Sequence, residues 1–106
     1  MDDTLVPFEE RMRGLRAGFV AGLPARLDAM RLAQRTEDRS TLQREAHRLS
    51  GTGLSYGFPQ LTVWGREVEH RCQAGEPLAS IDRDLERLAD LIAALGASTL
   101  PPPMTE

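Results

Sequence analysis

The sequence contains no lysine, one cysteine and no long apolar run. All 13 basic side chains are arginine; with 16 acidic ones they leave a formal net charge of −3 over 106 residues. A net-acidic chain without a basic cluster argues against nucleic acid as a partner. A lone Cys72 excludes an internal disulfide, gives no support for an oxidising compartment, and has no metal-ligand spacing around it. It is expected in the core as a small apolar residue. The longest apolar stretch, "LADLIAALGA", is broken by Asp90 and falls far short of the roughly 20 residues of a membrane span. The first residues, "MDDTLVPFEE", are acidic and lack the basic-then-apolar order of a signal peptide. The expectation is one soluble, cytoplasmic domain with no membrane contact. There is also no alternation of strand type, no internal repeat and no glycine-rich nucleotide loop.

What remains is helical periodicity. Phe8, Met12, Leu15, Phe19, Leu23, Leu27 and Met30 recur at helical spacing, which predicts a first helix over about 6–34. Pro24 lies inside it. An interior proline removes a backbone hydrogen bond and costs about 3 kcal/mol, so a kink or break is expected near Gly22–Pro24. "RTEDRS" reads as a turn, with Asp38 or Ser40 as cap of a second helix over about 39–54, and Ser40 with Gln43 as a capping box. Gly53 and Gly57 mark where that helix frays and stops. Pro59 suits the first turn of a third helix over about 58–73. Pro77 and Ser80 open a fourth that reaches Leu95, with Gly96 as its stop. Short connections make neighbours antiparallel. The fold class is therefore all-α: an antiparallel up-down four-helix bundle with a kinked first helix, over residues 1–96. Residues 97–106, ending "LPPPMTE", form a proline-rich flexible tail.

The unusual segment is "AHRLSGTGLSYGF", with one of the two histidines and three glycines. On a helical wheel Leu42, Ala46, Leu49, Gly53 and Tyr56 share the core side, and His47 falls about 140° away. Its neighbours one turn away are Gln43, Arg44, Ser50 and Gly51, and Leu54 lies on the same outer side. An inert surface histidine is the competing reading. Against it, a glycine inside a helix costs about 1 kcal/mol relative to alanine, and Gly51 leaves the imidazole unshielded. The pair reads as a nucleophilic ring nitrogen with clearance for a bulky partner. His70 falls on the opposite side of its helix from Leu61, Val68 and Cys72 and reads as an inert surface histidine. Trp64 reads as core packing.

"AHRLSGTGLSYG" resembles the histidine-containing phosphotransfer (HPt) domain of bacterial two-component phosphorelays. That motif is H-x-L-K-G with another glycine six residues on, and His47, Leu49, Gly51 and Gly57 occupy the matching positions. "DRSTLQREAH" resembles the approach to the histidine. "GFPQLTVWGREVE" resembles the helix after it, with Leu61, Val68 and Glu69 in place, and "FVAGLPARLDAM" the helix before. The likeness spans about residues 12–95. Ser50 departs from it, standing where the family has a lysine that helps neutralise the phosphohistidine. Arg44, one turn before His47, and Arg48, adjacent in sequence, are the expected substitutes.

The resemblance implies a phosphocarrier without its own ATP site, not an enzyme. It would accept a phosphoryl group on His47 from the aspartate of a response-regulator receiver domain and pass it to another receiver. The phosphate surroundings would comprise Gln43, Arg44, Arg48, Ser50 and Gly51, with Leu54 as a docking residue and Gly57 as the turn into the next helix. No cofactor of its own is implied; Mg²⁺ would sit on the partner receiver, and a hybrid histidine kinase could stand upstream. Two alternatives stay open. One is the phosphate-accepting N-terminal domain of a chemotaxis-type histidine kinase. The other is a binding-only bundle that docks receivers without carrying phosphate.

Overall fold

Pro24 breaks the first helix where the sequence places the break. In this computed structural model, which describes residues 5–99, α1 spans Leu5–Ala21 and α2 spans Leu23–Arg35. Gly22 joins them, and Pro24 sits in the first turn of α2, where its missing N–H costs nothing. Helix α3 spans Arg39–Ser55, α4 spans Pro59–Gln73, and α5 spans Asp82–Thr99 behind a 3₁₀ turn over Leu78–Ile81. With α1 and α2 counted as one interrupted helix, this is the expected four-helix bundle.

The helix ends follow from backbone chemistry. Asp38 caps α3, its carboxylate accepting the Thr41 N–H at 3.1 Å. That hydrogen bonding from Thr41 holds the Asp38 carboxyl below its ordinary value of 3.8. Ser40 lies inside the helix, so the expected Ser40–Gln43 capping box does not form. At the other end, Gly57 adopts φ +83°. This lets the Phe58 N–H reach Gly53 O at 2.8 Å and the Gly57 N–H reach Leu54 O at 3.1 Å, a Schellman stop. Gly75 ends α4 the same way at φ +76°. Gly96 does not stop α5. Its φ is not positive, and the helix continues to Thr99. Of the expected tail, residues 100–106 lie outside the described residues.

The core is built from Leu23, Leu27 and Met30 of α2, Leu42, Ala46 and Leu49 of α3, Leu61, Val68 and Cys72 of α4, and Leu85, Leu88 and Ile92 of α5. One polar pair is let into it. Asp84 of α5 is buried, and its Oδ2 lies 2.9 Å from Arg71 Nε of α4. Burial pushes the Asp84 carboxyl above the usual range, and the Arg71 guanidinium opposes that push. Trp64 is half-buried, with the Arg87 guanidinium 4.8 Å above its ring.

Helix α1 departs from expectation. Its periodicity predicts an apolar side facing the bundle, yet Phe8 is 56% exposed and Leu15 47% exposed. Met12 is half-buried, and the helix is anchored through Phe19 and Val20. Phe19 stacks on Tyr56 with centroids 4.6 Å apart, and the Arg16 Nε–H donates to Tyr56 O at 3.1 Å. Helices α1 and α2 together hold 30 residues, about 45 Å of helix, whereas α5 holds 18, about 27 Å, so that one helix is too short to cover the whole of the interrupted one. No helix among the described residues is long and apolar enough to cross a membrane.

Candidate functional site

The rotation of α3 is fixed by its buried side. Leu42, Ala46 and Leu49 are fully buried, which turns His47 outward. Its side chain is 72% exposed. Helix α4 lies against α3 at unusually short range, because two glycines remove the side chains that would hold the helices apart. A Cβ on Gly65 would stand 3.0 Å from Ala46 O and 3.1 Å from Ser50 N; one on Gly53 would stand 2.8 Å from Leu61 Cβ. The buried Thr62 hydroxyl donates to Ser50 O at 2.8 Å and pins the register.

That register brings Glu69 of α4 opposite His47. Its Oε2 lies 2.8 Å from His47 Nδ1. A carboxylate accepts only, so the neutral ring donates its Nδ1–H. The tautomer that results leaves the Nε2 lone pair free on the exposed edge of the ring. Glu69 is itself largely shielded, with 19% side-chain exposure, so its carboxylate is held in place. The sequence pattern matches Glu69 to its helix but does not by itself connect it to His47. The signal for that connection is the hairpin geometry: α3 and α4 form a tight antiparallel pair about Tyr56–Phe58, and residues 47 and 69 stand nearly equally far from that turn.

A shallow groove beside the imidazole is lined by Arg39, Ser40, Gln43, Arg44, His47 and Glu69. It holds two guanidinium groups against one carboxylate, a surface that favours an anion. Arg44, one turn before His47, donates to Thr41 Oγ1 at 3.3 Å. Arg39, not foreseen from sequence, donates to Cys72 O at 3.3 Å from a position at the start of α3. Arg48 is not in the groove; it is exposed and leans onto Glu45 at 3.5 Å.

Ser50 corrects the sequence reading most clearly. The wheel places it on the outer face beside His47, but it is buried, and its hydroxyl donates to His47 O at 2.8 Å. Its Cβ packs where Gly65 makes room, 3.2 Å from the position a Gly65 Cβ would take. At Gly51 nothing lies within 4 Å of the position a Cβ would take. Leu54 is 61% exposed on the outer side of α3, and Val63 of α4 is 59% exposed. His70 is exposed. Among the described residues, no cluster of His, Cys, Asp and Glu is placed to hold a metal ion.

No curated protein and no solved structure matches the chain. A family model does, over residues 14–98, and that span takes in the histidine, the groove beside it, both close-packing glycines and the whole bundle apart from the leading turns of α1. The chain belongs to the Hpt domain family, the phosphocarrier modules through which histidine phosphotransfer runs in two-component phosphorelays.

Proposed function

We propose that this Hpt domain is a phosphorelay intermediate whose acceptor is His47. The observation that carries the reading is the solvent-facing imidazole with its Nδ1 tied to Glu69 at 2.8 Å and open space over Gly51. Nε2 attacks the phosphorus of a receiver's aspartyl phosphate. The N–P bond forms as the acyl P–O bond breaks, and the aspartate carboxylate leaves with the electron pair. The ring then carries positive charge while Nδ1 keeps its proton, and the Glu69 carboxylate stabilises it there. Transfer onward is the reverse step with a second receiver.

Phosphoryl transfer demands in-line positioning and charge neutralisation more than covalent chemistry. The rigid α3–α4 pair supplies positioning. Arg44 and Arg39 supply positive charge in place of the lysine that Ser50 replaces, and Gln43 offers a further donor. Arg48, held by Glu45, adds charge from outside the groove. The partner receiver is expected to bring Mg²⁺. Gly51 admits the receiver, and Leu54 and Val63 offer apolar contacts beside the reacting group, an apolar centre with a polar rim.

The test is to supply a phosphorylated receiver domain with Mg²⁺ and look for acid-labile, alkali-stable phosphate on the protein. Wild type and His70→Gln are expected to label alike, and His47→Gln not at all. Label at wild-type level on His47→Gln would refute the assignment. Absence of label from every receiver tried, together with undiminished receiver binding, would favour the binding-only alternative. Labelling only by a kinase domain would favour the chemotaxis-type one.

A further inference from the structure

Thr62, Gly65 and Glu69 follow one another on α4 at spacings of three and four, so they share one side of that helix. All three meet α3. The Thr62 hydroxyl donates to Ser50 O at 2.8 Å, the backbone of Gly65 closes on Ala46 and Ser50, and Glu69 Oε2 stands 2.8 Å from His47 Nδ1. Across from this row, Ser50 is 5% exposed, and its Cβ lies 3.2 Å from where a Gly65 Cβ would stand. The Ser50 hydroxyl donates to His47 O, three residues back in its own helix, and is used up there. What position 50 offers α4 is its small size.

We infer that Ser50 and Gly65 are positioning residues for the histidine. Two small side chains, matched across the α3–α4 seam, set the separation at which Glu69 reaches Nδ1, and through that bond they direct the phosphoryl group to Nε2. The last step rests on His47 as the acceptor; the packing and the ring tautomer do not. The atoms that crowd Gly65 are Ala46 O, Ser50 N and Ser50 Cβ, and none of them can swing aside as the end of a long side chain can. A larger side chain at either position therefore moves α4 outward. Glu69 lies one turn beyond Gly65 on the same side and moves with it. Its side chain is 19% exposed, so the carboxylate has little room to reach back for the ring. With Nδ1 released, the imidazole exchanges between its two neutral tautomers, and each nitrogen in turn presents a lone pair. A lysine at position 50, where the motif that the chain resembles has one, would start its stem against Gly65 and Thr62. Restoring it is expected to harm the site, although charge alone argues that it should help.

The test reads the ring and the label separately. Proton–nitrogen NMR spectra of the unphosphorylated wild type, in mildly alkaline buffer, should show His47 as the single Nδ1–H tautomer. Phosphoramidate should then label Nε2 alone: the new N–P bond forms as the donor's own P–N bond breaks, and the donor nitrogen leaves as ammonia with the electron pair. Phosphorus NMR resolves the two phosphohistidine isomers. Ser50→Ala, as small as serine, should keep both the tautomer and the isomer. Ser50→Lys should show mixed tautomers, label on both nitrogens, and transfer from a phosphorylated receiver slowed at least about tenfold. Gly65→Ala should shift tautomer and isomer in the same direction and less far, and Glu69→Ala should release the ring without moving α4. A folded Ser50→Lys with a single tautomer, or with faster transfer than wild type, overturns the inference. If Ser50→Lys does not fold, an unchanged ring in Gly65→Ala overturns it. Label confined to Nε2 in Glu69→Ala overturns the step from carboxylate to nitrogen. Failure of every receiver to label His47 would count against the phosphorelay reading alone, because the ring spectra need no partner.

Discussion

The α3–α4 hairpin and α1 are written in the same apolar code and end in opposite circumstances. In the hairpin, Leu49 and Leu61 are sealed, Gly53 and Gly65 let the backbones close, and Thr62 locks the register. In α1, Leu15 and Phe8 recur at the same helical period but stay about half exposed. The hairpin carries the candidate acceptor, and α1 carries none of the groove around it. Positioning a reacting nitrogen needs a helix whose rotation and height are fixed by packing on a neighbour. Helix α1, with Phe8 and Leu15 about half exposed, takes no part in that positioning.

Four measurements test that contrast, the largest first. Leu49→Ala should cost about 2–5 kcal/mol by leaving a cavity in a sealed core, whereas Leu15→Ala, measured on dilute protein, should stay within about 0.5 kcal/mol. Denaturant unfolding compares them, and equal costs would erase the distinction between the two regions. Next, Gly65→Val should lose about 1–3 kcal/mol by overpacking, because the new side chain meets Ala46 O and the Ser50 backbone. Gly51→Leu meets nothing and should gain up to about 1 kcal/mol of helix stability while phosphoryl transfer from a receiver falls sharply. A destabilised Gly51→Leu with transfer retained would make Gly51 a packing residue.

Third, Leu54→Asp should weaken receiver binding by more than about 1 kcal/mol and leave labelling by phosphoramidate nearly unchanged, since a small donor needs no docking surface. Equal loss in both assays would mean that Leu54 shapes the imidazole's surroundings instead. The smallest effect belongs to the cap. Asp38 is held below 3.8 in the folded protein, so its charge adds stability above that value, and the contribution is lost as pH falls through the lowered folded value. Asp38→Asn keeps a capping side chain but not the charge. Wild type should therefore be the more stable at neutral pH, and the gap should close in acid. A gap that persists at pH 2 would assign it to geometry rather than charge.

Local chemistry is legible in the sequence alone. Pro24 announces the interruption of the first helix and Pro59 the start of α4, Gly57 announces the end of α3, and the wheel about Leu42 places His47 outside and Leu49 inside. What the sequence leaves unread needs a second element. The exposure of Phe8 and Leu15 depends on whether another helix packs beside them, which periodicity within one helix does not encode. The burial of Ser50 depends on Gly65, fifteen residues on, withdrawing its side chain. Ser50 lies near the margin of the α3 core stripe, so a small change in its neighbour decides its side. Gly96 misleads because a glycine in a helix looks the same in sequence whether or not its φ turns positive; here it does not. Glu69 and Arg39 join the site through the α3–α4 register, which no helix taken singly reveals.

Cys72 gives the molecule an internal timer. It is the only thiol in the chain, it is 2% exposed, and burial pushes its pKa up, so in the closed bundle it is both unreachable and unreactive. A thiol reagent can attack only when the last turn of α4, where Cys72 sits, opens by fraying or with the whole helix. Its rate of modification therefore reports openings at that end of the α3–α4 pair, with no label to attach and no cysteine to remove. Phosphorylation, receiver docking or a change at Gly65 can each be read as a change in how often that end opens.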